Sequence, residues 1–302
     1  MRQAVGATGP GSVVVDGVRL SYDDEGQGPV LLCLHAIGHG AGDFAPLRER
    51  LRTRYRVIAL DWPGQGASDA DATTPSAMRY AELLEGFREA LGLEQFVVLG
   101  NSIGGGAAIA FAATHPTRVR ALILANPSGL FTRNIGAALV PRVIASIFSA
   151  GANGARWYPA WFAALYRRLL RGEAAAAQRA RIIAAGRELA PVLSAAWLGF
   201  AEPASDLRAS ARQVIAPVLV TWATGDPLNR LGFNRAGIRQ FPNARLETFP
   251  GGHAPFLESP DAFVELFDAF MAAVPQRATV SRAEDSTERA ADPRGTRGPA
   301  SA

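Results

Sequence analysis

Short apolar runs alternate with longer amphipathic stretches along most of the chain, and this alternation defines its fold class. Residues 30–34 (Val-Leu-Leu-Cys-Leu), 56–60, 96–99, 121–125 and 218–222 are nearly continuous in apolar character. A strand that shows no in-and-out alternation is buried on both faces, so these runs predict a mostly parallel sheet covered by helices on both sides. A last strand is expected at 245–249. Residues 13–22 read as a hairpin of two short strands around Asp16-Gly17, which brings the total to about eight. From 131 to 212 the pattern changes to helix only, with alanine- and arginine-rich segments broken at Pro141, Gly151 to Gly154, Pro159, Gly172, Pro191 and Pro203. This stretch predicts a helical cap inserted after the sixth strand, splitting an α/β core into residues 12–130 and 213–275. Residues 276–302 carry almost nothing apolar, too little to offset the entropy of ordering them, and a disordered tail is expected there.

Open parallel sheets bind ligands beyond the carboxyl ends of their strands, so the residues at those ends carry the chemistry. Gly100-Asn101-Ser102-Ile103-Gly104 directly follows the run 96–99 and precedes a small-residue helix. A serine on such a sharp strand-to-helix turn has its hydroxyl lifted clear of the sheet, and glycines flank it because side chains there would collide with neighbours. A serine hydroxyl needs a histidine to take its proton and an acid to orient that histidine. Of the four histidines, His253 follows a strand in a Pro-Gly-Gly-His-Ala-Pro loop, and Asp226 ends the strand 218–222 in a Gly-Asp-Pro turn. The chain order Ser102, Asp226, His253 is the one expected when a triad is mounted on successive strand ends. The Ile103 amide at the helix start, and the Ile37 amide in the loop after 30–34, are the expected oxyanion donors. His35 is expected to fix that loop. A metal site built on His35 and His39 would need a helix that Gly38, Gly40 and Gly42 disfavour, so no metal and no cofactor is expected.

Several further motifs extend this pattern. Asp61-Trp62-Pro63-Gly64-Gln65-Gly66-Ala67-Ser68 is similar to a D-x-P-G-x-G-x-S loop, and Thr114-His115-Pro116-Thr117-Arg118-Val119 to an H-P-x-R-V passage into the next strand. With the elbow and the acid and histidine segments, residues 13–274 resemble the α/β-hydrolase superfamily. The resemblance implies a capped serine hydrolase acting on a small hydrophobic ester, thioester or lactone through an acyl-enzyme on Ser102. The Gly-Asn-Ser-x-Gly-Gly elbow and Asn126-Pro127-Ser128-Gly129 also resemble the carbon–carbon bond hydrolases of aromatic ring-fission products, a second reading that the sequence leaves open. The chain departs from the usual patterns at Ala36 and Ala254. Cofactor-free perhydrolysis, and a ligand-binding protein of the same fold with a vestigial triad, are further alternatives. Aromatic cap residues, Trp157, Trp161 and Trp197 among them, are candidates for an apolar pocket together with His35 and Asn101, with Arg187 placed to meet a substrate carboxylate.

Composition narrows the field. At 302 residues and 48% hydrophobic, the chain can bury a sizeable core. All 31 basic side chains are arginine, and the formal net charge is only +4. No basic block is interleaved with aromatics, which argues against nucleic acid as a partner. Cys33 is the single cysteine and lies within a strand, where a small buried hydrophobe is expected. Residues 1–11 lack a signal-peptide pattern and no apolar run reaches membrane-spanning length, so a cytoplasmic enzyme of small-molecule substrates and water is expected, its oligomeric state open.

Overall fold

The expected apolar runs pair into one eight-stranded sheet. The computed structural model of the protein describes residues 9–132 and 135–275. Its strands are β1 (Gly9–Val15), β2 (Val18–Glu25), β3 (Val30–Leu34), β4 (Arg56–Leu60), β5 (Phe96–Asn101), β6 (Val119–Ala125), β7 (Val218–Ala223) and β8 (Ala244–Phe249), in the spatial order β1-β2-β4-β3-β5-β6-β7-β8. The first hairpin turns at Asp16-Gly17, where both residues adopt positive φ, and β1 and β2 run antiparallel. β2 joins β4 antiparallel, and every later pairing is parallel. All residues of β5 and β7 are buried. Consecutive side chains on a strand point to opposite faces, so layers cover both sides, as an α/β sheet requires.

Those layers are helical. The core contributes α1 (Ala45–Leu51), α2 (Ala77–Ala90) and α3 (Ile103–Thr114). Between β6 and β7 the described residues form helices and no strand: α4 (Ile135–Ala152), α5 (Tyr158–Leu169), α6 (Ala176–Ala184), α7 (Gly186–Ala201) and α8 (Arg208–Gln213). α9 (Leu231–Ile238), α10 (Pro255–Glu258) and α11 (Pro260–Ala273) complete the core. α4 and α7 pack along each other, and the Ser194 hydroxyl donates to the Ala145 carbonyl between them at 3.0 Å. Cys33 is fully buried, and burial pushes its thiol far above the usual range, against a smaller opposing effect of Arg48. Among the described residues no helix is long and apolar enough to cross a membrane. The expected disordered tail, residues 276–302, lies outside the described residues.

Candidate active site

The β5–α3 turn is built by close approach of backbones. Ser102 sits at φ 54 and ψ −117, a conformation that L-residues rarely adopt. A Cβ at Gly100 would lie 2.6 Å from Gly104 O, and one at Gly104 would lie 2.3 Å from Leu34 O. Glycine is therefore required on both sides of the serine. The turn is pinned by the Ser102 amide donating to Ala125 O at 3.0 Å, while Ser102 O accepts from the amides of Gly106 and Ser128, both at 2.9 Å. Ile103 opens α3, so its N–H has no acceptor within the helix.

Asp226 and His253 are brought into contact from different strand ends. His253 Nδ1 donates to Asp226 Oδ2 at 2.5 Å, with both side chains buried. Asn126 Nδ2 donates to the same oxygen at 2.8 Å, and the amides of Leu228 and Asn229 donate to Oδ1, each at 2.9 Å. A carboxylate with both oxygens occupied in this way has a fixed orientation, which leaves His253 Nε2 as the free ring nitrogen. Burial alone would depress the His253 pKa. The Asp226 carboxylate, through its charge and its hydrogen bond, and more distantly Glu258 and Asp43, outweigh burial and hold it above the ordinary histidine value.

Ser102 and His253 both line one cavity of about 540 Å³, within the range of small-molecule sites. Its walls are mostly apolar and come from the helices after β6 as well as from the core, with Phe148, Tyr166, Leu193, Trp197 and Phe200 among them. The loop after β3 supplies Ala36, Ile37 and His39. Gln65 Oε1 accepts from the Gly38 amide at 2.6 Å and Asp61 Oδ1 from the Ala41 amide at 2.7 Å, so the D-x-P-G-x-G-x-S motif braces this loop. The Ile37 N–H has no acceptor among the described residues. The Gly38, His39 and Ala41 amides that follow it are tied down.

The comparisons with known proteins agree with the fold. Residues 29–260 match the family described as alpha/beta hydrolase fold. The chain belongs to that family. A pimeloyl-[acyl-carrier protein] methyl ester esterase of Nitrosomonas europaea is 32% identical over 259 residues, covering 83% of this chain and 98% of its own. A 2-hydroxy-6-oxononadienedioate/2-hydroxy-6-oxononatrienedioate hydrolase of Comamonas testosteroni is 29% identical over 266 residues, covering 84% and 91%. Among solved structures, the esterase RhEst1 of Rhodococcus sp. ECU1013 superposes with a TM-score of 0.75 at 23% identity, covering 87% of this chain and 98% of that one.

Not every residue singled out from the sequence of this α/β-hydrolase reaches the cavity. Trp197 lines it; His35, Asn101, Trp157, Trp161 and Arg187 do not. His35 is fully buried, with Nδ1 donating to Ala36 O at 2.7 Å and Nε2 accepting from the Trp62 amide at 2.9 Å. Burial lowers its pKa despite Asp61 nearby, so it serves as a neutral strut between two loops. Asn101 Nδ2 is committed to Ala125 O and His253 O. Trp157 is half exposed and packs edge-on against Trp161, which in turn packs on Phe148. Arg187 is exposed and donates to Ala155 O. A helical stripe specifies which side chains share a face but not which face meets the cavity.

The residues that sequence reasoning missed are two buried carboxylates. Buried Glu258 accepts from the amides of Gly252, His253 and Ala254 through Oε1, and from those of Arg171, Gly172 and Gly252 through Oε2. It clamps the His253 loop to the segment after α5. Gly252 is needed there, since a Cβ would lie 2.1 Å from Leu169 O. Asp43, in the 3-10 turn Ala41–Phe44, is bound to His39. An acid inside the otherwise apolar run Ala-Pro-Phe-Leu-Glu was the only sequence hint of Glu258. Among the described residues no group of three or more His, Cys, Asp or Glu side chains is placed to hold a metal ion.

Proposed function

We propose that the protein is a serine hydrolase that cleaves a small hydrophobic carboxylic ester, thioester or lactone through an acyl-enzyme on Ser102, with residues 131–212 as a cap over the serine. The observation that carries this reading is a strained serine turn and an aspartate-bound histidine opening on one apolar cavity. In this mechanism Ser102 Oγ attacks the carbonyl carbon as its proton passes to His253 Nε2, and Asp226 holds the imidazolium that forms. The Ile37 and Ile103 amides receive the oxyanion, each donor worth about 10²–10³ in turnover. Collapse of the tetrahedral adduct expels the alkoxide or thiolate, which takes its proton from His253. A water molecule, deprotonated by the same nitrogen, then releases the acid and restores Ser102.

Ser102→Ala tests this. The wild type is expected to hydrolyse p-nitrophenyl acyl esters and to be labelled by a fluorophosphonate, and the variant to do neither. Undiminished hydrolysis by the variant removes Ser102 from the mechanism, and an unreactive wild type favours a ligand-binding role. The 29% identity to the ring-fission-product hydrolase of Comamonas testosteroni supports a second reading, carbon–carbon hydrolysis of a vinylogous diketone by the same residues. The one arginine among the described cavity-lining residues is the exposed Arg230, rather than Arg187. Loss of the yellow absorbance of a ring-fission product on incubation with the enzyme would establish that second activity.

A further inference from the structure

Two histidine–aspartate pairs, not one, stand at the cavity that holds Ser102. His39 lines it, is only 3% exposed, and through Nδ1 contacts Asp43 Oδ2 at 2.5 Å. Asp43 is fully buried, and its other oxygen accepts from Gln178 Nε2 of α6. Burial by itself would favour a neutral Asp43. Its contacts with His39, and to a lesser degree His35 and Gln178, more than compensate and hold it below the usual carboxylate range. An ionised carboxylate only accepts hydrogen bonds, so the proton of this pair lies on His39 Nδ1, and Nε2 remains as the outer nitrogen. That nitrogen has no partner among the described residues. The ring is otherwise packed 5.7 Å from that of Tyr166, another cavity residue.

A role in holding the loop accounts for the Nδ1–Asp43 contact and leaves Nε2 without a partner at the wall of the cavity. Ligand sites of this kind orient their ligand through a few polar groups set in apolar walls. We propose that the His39–Asp43 pair is a substrate-recognition point, at which His39 Nε2 forms a hydrogen bond with a hydroxyl group carried by the substrate. The proposal rests on the reading of this cavity as the substrate site, and it names the substrate class as hydroxylated esters or their thioester and lactone equivalents.

Calorimetric titration of the full chain in a Ser102→Ala background tests this without turnover. The ligands are methyl octanoate, its monohydroxylated positional isomers and the monomethyl ester of the dicarboxylic acid of the same length. One hydroxylated isomer is expected to bind about tenfold tighter than methyl octanoate, the worth of one well-placed hydrogen bond. Adding His39→Leu should erase that preference. The proposal is overturned if no isomer is preferred, if no ester binds, if the preference survives His39→Leu, or if the acid-bearing ester is the one favoured through His39. Should His39→Leu weaken every ligand alike, His39→Gln, which keeps a hydrogen-bonding tip, decides: unless the preference returns there, the assignment is wrong. Failure of the Ser102 mechanism shows instead in the wild-type hydrolysis assay, so the two outcomes are separable.

Discussion

Glu258→Gln removes one charge from a buried site at almost constant shape, and its cost can be worked from the hydrogen bonds. The carboxylate accepts on both oxygens: from Gly252, His253 and Ala254 on one, and from Arg171 at 2.7 Å, Gly172 at 3.4 Å and Gly252 at 2.8 Å on the other. A glutamine can offer its carbonyl to only one of these groups, and its NH₂ then faces N–H donors. The smaller loss leaves the Arg171 and Gly172 amides without an acceptor. Both amides are part-buried, so each donor left unsatisfied costs toward the lower end of about 1–3 kcal/mol; the retained bonds weaken because their acceptor is no longer charged, and a total of about 3–5 kcal/mol is expected. At about 2–4 °C per kcal/mol for a chain of this size class, the melting temperature should fall by about 6–20 °C. Scanning calorimetry measures that fall directly. The loop that loses its clamp carries His253, so kcat/KM on an activated ester should drop about 10–100-fold while the protein is still folded. A melting temperature within about 2 °C of the wild type, with unchanged kcat/KM, would refute the reasoning.

Two further substitutions probe the site from other directions. In the wild type, kcat/KM should decline as the pH falls through an apparent pKa above the ordinary histidine value, since neutral His253 is the base; Asp226→Asn should move that acid limb to lower pH, because burial then dominates, and should lower the plateau by about 10⁴-fold, as a pH–rate profile would show. The same shift has a sign for folding: the stability it contributes is complete below the unfolded-state pKa and is lost as pH rises through the folded-state value, a trend readable from denaturant midpoints. Gly104→Ala should prevent accumulation of folded protein, because its methyl group meets Leu34 O at 2.3 Å and neither backbone can yield without breaking the β5–α3 turn; recovery of a soluble variant with a native melting temperature would contradict this.

What could be read from the chain, and what could not, divides along a physical line. Central strands buried on both faces must be apolar throughout, so β3, β5 and β7 stood out as runs. The serine turn was legible because close backbone contacts at Gly100 and Gly104 admit glycine alone. Trp157, Trp161 and Arg187 were misplaced because helical periodicity does not say how one helix rotates against another, and the packing of α5 on α4, α6 and α7, and of α7 on α4, settles that. Glu258 escaped notice because its partners are backbone amides, which no spacing rule encodes, and Asp43 because the glycines around His39 hid its i,i+4 pairing with that ring and its other partner is a glutamine 135 residues away.

Those hidden carboxylates share a location that bears on the chemistry. Among the described residues the buried acids are Asp24, Asp43, Asp61, Asp226 and Glu258, and of these Asp24 is neutralised by a guanidinium, that of Arg56 at 2.6 Å. The other four stand beyond the carboxyl ends of the sheet strands, where imidazoles, side-chain amides and backbone N–H groups hold them. Dipoles of this kind steady a carboxylate without cancelling its charge, so the edge around His253 stays negative. Against the opposing effect of burial, Asp226 most strongly, then Glu258 and Asp43, raise the His253 pKa. An environment of that sign favours the imidazolium that the proposed attack by Ser102 creates. It follows that Glu258→Gln should also displace the acid limb of the pH–rate profile downward, in the direction of Asp226→Asn but by less. A clamp acting through shape alone would lower the plateau and leave the limb where it was.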